Sequence, residues 1–178
     1  DAQKINAIKA VNEDFRQEYE PIITAQGTRL FNASQPQAFV AMEASLRKLG
    51  MTVEAQDSKV GYIRAAAPAP APLTHEEWQR VGETDLPRMR RIVKEHVGPM
   101  GGFIKFEPQG LDIVLNVTTL ETSSRQVEVS VTMRMRETAP PKTGYPRREY
   151  PPPTAVRMGI AKFWSQFDRE LSRIQANR

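Results

Sequence analysis

Cysteine is absent from the 178 residues, which excludes disulfides, thiol catalysis and thiolate metal sites. Histidine is nearly as scarce, with His75 and His96 the only two. His75 stands beside Glu76 and Glu77, but no HExxH spacing exists, so a zinc-hydrolase helix is excluded. His96 falls near a helix C-terminus, where a cation complements the helix dipole. The chain has no G-x-S-x-G, no P-loop and no G-x-G-x-x-G. Gly101-Gly102 is only a flexible pair before an apolar run. These absences leave no constellation for a catalytic centre, so a non-enzyme without cofactor or metal is expected. No apolar run approaches the ~18 residues of a spanning helix. The chain starts at Asp1 without a methionine, so a processed or trimmed form is the expectation, from which any targeting segment would already be gone.

A large excess of one charge is also lacking. Lys and Arg total 25 against 21 Asp and Glu, a formal charge of +4. That excess permits weak attraction to an anionic partner and demands none. Arg88, Arg90, Arg91 and Lys94 crowd one segment, but Glu83, Asp85 and Glu95 dilute them. A nucleic-acid module shows a denser one-sided stripe, so nucleic acid is an unlikely partner on this reading.

What is present is strong periodicity. Ile5, Ile8, Val11, Phe15 and Tyr19 step by three and four, predicting a helix that Pro21 ends. Thr28 to Phe31 reads as a short strand. Ser34, Pro36 and Gln37 form a capping box before the stripe Phe39, Met42, Leu46 and Leu49, and Gly50 closes that helix. Residues 51–57 and 60–66 alternate around Asp57-Ser58-Lys59, predicting a hairpin. The AAAPAPAP run at 65–72 reads as an extended surface loop.

Thr74 with Glu77 is a second capping box, before Trp78 and Val81. Gly82 reads as a break, and Asp85-Leu86-Pro87 as a helix restart. Phe103 to Phe106 reads as a further short strand. Two long strands follow, with Leu111, Ile113, Leu115 and Val117 on one face of the first and Val127, Val129, Val131, Met133 and Met135 on one face of the second. Six prolines between 139 and 153 exclude a packed element there and predict a long loop. Thr154 is placed to cap a final helix with the stripe Val156, Ile160, Phe163, Trp164, Phe167, Leu171 and Ile174.

This order predicts an α+β fold, an antiparallel sheet of four to five strands with helices packed on one face. Residues 1–27 form an N-terminal helix and connection, and 28–178 a single domain with proline-rich loops at 65–73 and 139–153. If the two long strands pair, Asn116, Thr118, Ser130, Thr132, Arg134 and Arg136 share the open face. Tyr145, Arg147, Arg148 and Tyr150 could fold over its edge, as a binding loop on a rigid scaffold.

The segment Leu30 to Ala66, with "LRKLGMTVE" turning helix into strand and "DSKVGYIRA" closing a hairpin, resembles domains of bacterial envelope lipoproteins with helix-grip or TBP-like folds. The lipid-bearing cysteine of such proteins is absent here. The resemblance implies a periplasmic accessory role, with another envelope protein or a cell-wall component as partner. It implies membrane attachment only through an N-terminal lipid anchor outside this chain. The functional expectation is a non-catalytic binding or scaffold module that uses the open sheet face and the proline loop. The alternatives are a small-ligand carrier, with Phe163, Trp164 and Phe167 lining a cavity under the last helix, and a weak nucleic-acid module.

Overall fold

A computed structural model describes residues 1–177. Its elements in chain order are α1 (Ala2–Gln26), β1 (Thr28–Phe31), α2 (Gln35–Lys48), β2 (Thr52–Asp57), β3 (Tyr62–Pro68), α3 (His75–Val97), a 3₁₀ turn (Pro99–Phe103), β4 (Leu111–Ser123), β5 (Gln126–Glu137) and α4 (Pro153–Ala176). The fold is α+β, with one antiparallel five-stranded sheet in the order β1-β5-β4-β3-β2.

The period-two pattern of the long strands decides which face is dry. Val129 pairs with Thr119, and Val131 with Val117. Val127, Val129, Val131 and Met133 are fully buried, as are Ile113, Leu115 and Val117. Helices α2 and α4 cover this face, and their buried stripes complete the core. Each large side chain so buried contributes about 1.5–3 kcal/mol. Gly159 brings α4 onto β5, because a Cβ there would collide with Met133 Sδ. Helix α1 packs on α3 and α4. The Trp164 indole donates to the Gln26 carbonyl at 2.7 Å, tying α4 to the end of α1.

Both capping boxes form. Ser34 Oγ accepts from the Gln37 N–H, and Thr74 Oγ1 from the Glu77 N–H. Four expectations are corrected. Pro21 lies inside α1, which runs on to Gln26. Its lost partner is the Gln17 carbonyl, and Gln17 and Pro21 are both exposed, while buried Tyr19 and Ile22 hold the helix on either side of the break. Helix α3 is continuous through Gly82 and Pro87, since buried Val81 and Met89 share one stripe. Residues 65–68 extend β3 instead of forming loop, with Ala65 to Ala67 buried. Residues 103–106 form no strand: Phe103 ends the 3₁₀ turn, and Phe106 packs on Trp78 with ring centroids 4.9 Å apart.

Candidate functional site

The open face is built by register. Thr28, Ser130, Thr118 and Tyr62 form one row across β1, β5, β4 and β3. Thr132, Asn116 and Arg64 form the next row, and Arg136 stands opposite Asp112 beyond. The structure therefore brings Asn116, Thr118, Ser130, Thr132, Arg134 and Arg136 onto one face. From Asp112 to Leu120 that face extends about 26 Å at the usual strand rise.

Its two ends differ. At one end the charges are locked to each other. Arg136 grips the Glu54 carboxylate with both terminal nitrogens, at 2.6 and 3.2 Å, and reaches Asp112 at 3.2 Å. Arg64 adds a contact to Glu54 at 3.4 Å. The Arg136 hydrogen bonds, reinforced by the charge of Arg136 and Arg64, hold the Glu54 carboxyl below its ordinary range. Arg134 donates to the Glu149 carbonyl at 3.2 Å and to its carboxylate at 3.0 Å. Three arginines thus face three carboxylates, and this end offers no surplus field for an anion or a nucleic acid.

The other end is open. The Thr28 and Ser130 hydroxyls share a hydrogen bond of 2.9 Å, and Tyr62 donates to Asn116 Oδ1 at 3.0 Å. Beyond them Leu30, Glu128 and Leu120 stand side by side in register. Leu30 is 59% exposed and Leu120 63%. The two leucines thus project from a polar sheet face on either side of Glu128.

The proline loop takes a definite course. The Glu149 carbonyl accepts from the Met135 N–H at 3.0 Å, so the loop pairs with the outer edge of β5. Strand β1 covers the same edge at Val127 to Ser130, and the Gly27 carbonyl takes the Val131 N–H at 2.7 Å. An edge that could template aggregation is thereby closed. Tyr150 reaches the face, where the Arg134 guanidinium stacks 4.0 Å from its ring. Tyr19 meets Tyr150 edge-on at 5.1 Å, and burial pushes its phenol pKa up. The other three loop residues go elsewhere. The Arg147 carbonyl accepts from Asn12, Arg148 pairs with Glu137 at 2.7 Å, and Tyr145 lines a cleft between α1 and α3.

Sequence reasoning missed Leu30, Leu120 and the Glu54–Arg64–Arg136–Asp112 network. Leu120 had a signal, since it falls off the odd-numbered apolar stripe of β4. The network had none, because β2 joins it through a register shift between Val53 and Ala55. Phe163, Trp164 and Phe167 are at most 2% exposed and stack on each other and, for Trp164 and Phe167, on Phe31, as core residues do. Two of the four basic residues in the α3 run are engaged. Arg88 pairs with Asp14 and Glu18, and Arg90 donates to the Ile104 carbonyl. Among the described residues no group of three or more acidic or histidine side chains could hold a metal, and no helix is long and apolar enough to cross a membrane.

No protein family, curated protein or solved structure matches this chain.

Proposed function

We propose that the chain is a non-catalytic binding module of the bacterial cell envelope that docks a protein partner on the open end of its sheet face. The observation that carries this reading is the exposed Leu30–Glu128–Leu120 row beside the hydroxyls of Thr28, Ser130 and Thr118. A protein interface places apolar side chains at its centre within a polar rim. Here the rim lies on strands paired in one sheet, so little backbone ordering cost remains on binding. A cell-wall glycan is the runner-up partner. The hydroxyl row suits it, but the two leucines favour protein. The periplasmic setting rests on the resemblance of Leu30 to Ala66 to envelope lipoprotein domains.

Leu30 and Leu120 are 59% and 63% exposed, so burial of both would supply about 2–4 kcal/mol. The double variant L30D/L120D should therefore release the chain from its complex. In gentle extracts of the producing cells, the tagged wild-type chain should elute as a larger species and the variant at the size of the free chain. Both proteins should melt at the same temperature. Identical elution of the two would remove this face from the reading.

A further inference from the structure

A second surface lies between the helices. Arg88 of α3 pins α1 through Asp14 and Glu18. Beyond that pin, the first three turns of α1 and the last turns of α3 leave a trough of about 550 Å³, closed by the 3₁₀ turn and the proline loop. Its walls carry Ile8 and Val11 on one side and Met89, Val93 and Val97 on the other. The last three are spaced by four, so that wall is straight and about 12 Å long. Met100 lines the rim at 73% exposure, and the adjoining Phe103 is 75% exposed. The volume is that of a small-molecule site.

The charged groups around the trough do not balance. Asp1, Lys4 and Arg148 line it. Asp1 faces Lys142 at 3.9 Å, and Lys142 lies 5.7 Å from the Tyr145 ring. Arg148 uses only its Nε on Glu137. Lys4 is exposed and enters no ion pair among the described residues. Three cations therefore stand against Asp1 and Glu137. The amide of Asn12, also in the lining, is spent on the Arg147 carbonyl at 2.9 Å.

From a straight apolar wall and an excess of cations around it, we propose that this trough binds a single-chain anionic amphiphile, its tail along Val93 and Val97 and its head group at Lys4. The tail covers apolar surface that the fold leaves wet, and the head group meets Lys4, which enters no ion pair among the described residues. This site is independent of the sheet face.

The test uses decyl sulfate below its micelle concentration, with decyltrimethylammonium as a tail-matched cation, titrated calorimetrically. Decyl sulfate should saturate one site per chain and bind at least tenfold more tightly than the cation, a difference of about 1.4 kcal/mol. V97W, which fills the trough, and K4E, which reverses the Lys4 charge, should each weaken it about tenfold. In the unaltered protein, saturation should slow peroxide oxidation of Met100 several-fold. Equal binding of the two head groups, unchanged affinity in V97W, or unprotected Met100 would each overturn the assignment. So would failure to bind decyl sulfate together with sedimentation on phosphatidylglycerol vesicles, which would give Met100 and Phe103 to a bilayer instead.

Discussion

Asp85, in the middle of α3, caps a helix to which it does not belong. Its Oδ2 accepts the Thr154 N–H at 2.8 Å, and its Oδ1 accepts the Thr154 hydroxyl at 2.8 Å. Helix α4 begins with Pro152 in the cap position, where no side chain can accept a first-turn N–H. Asp85, itself buried, supplies the missing acceptor and fixes α3 against the start of α4. D85A strands two donors and should cost about 2–3 kcal/mol in urea unfolding. D85N keeps one acceptor oxygen and should cost less. Equal loss in both variants would mean that the charge, and not the paired acceptance, matters.

Arg134 belongs to the scaffold. It stacks on Tyr150 and holds Glu149 at both its carbonyl and its carboxylate. R134A should free the proline loop, so trypsin should cut at Lys142, Arg147 or Arg148 several-fold faster. Global stability should fall by only about 1 kcal/mol, since a partly exposed ion pair contributes little. Unchanged cleavage would show that the backbone pairing of Glu149 with Met135 suffices alone.

Glu170 gives an acid-side signature. It is 2% exposed and bonded to Arg173 at 2.8 and 3.1 Å and to Gln166 at 3.0 Å, with Lys48 at 3.3 Å. The Arg173 hydrogen bonds, aided by Lys48 and Gln166, hold its carboxyl below the ordinary value. A carboxylate with a depressed folded pKa stabilises the fold fully above its unfolded pKa of about 4.3. That contribution is lost as pH falls through the lower folded value. Unfolding free energy measured from pH 6 down to pH 3 should drop, and E170Q should flatten part of that drop. An unchanged acid limb in E170Q would assign the effect to other carboxylates, Glu54 first.

Gly159 tests the contact between α4 and the sheet. Alanine would gain about 1 kcal/mol of helix propensity on an exposed site. Here its methyl would strike Met133, and overpacking of this kind costs about 1–3 kcal/mol. G159A should therefore destabilise, and M133V should rescue part of the loss in the double variant. Simple additivity of the two would deny the contact.

The sheet was legible because its strongest signal is local. Val127 to Met135 alternates without a break, and residues 111–117 match it except at Val114, so pairing and buried face follow from period two. The capping boxes at Ser34 and Thr74 were legible for the same reason. The errors came where tertiary contacts override local chemistry. Pro21, Gly82 and Pro87 carry breaking signals, yet buried neighbours on either side keep α1 and α3 whole. Asp85 looked like the cap of a restarted helix because its true partner is 69 residues away. The face itself was placed correctly from Asn116 to Arg136. Its division into a locked and an open end depends on Glu54, Asp112 and Glu149, whose partners are distant in sequence. The trough between α1 and α3 was hidden because each wall reads as an ordinary helix stripe.

The most direct test places a photo-crosslinking amino acid at Leu120, and a control at Gln79 on the exposed side of α3, in cells that make the protein. The account predicts one discrete protein adduct from position 120, absent from position 79 and lost when Leu30 is changed to Asp. No adduct from position 120, or the same adducts from both positions, would contradict it.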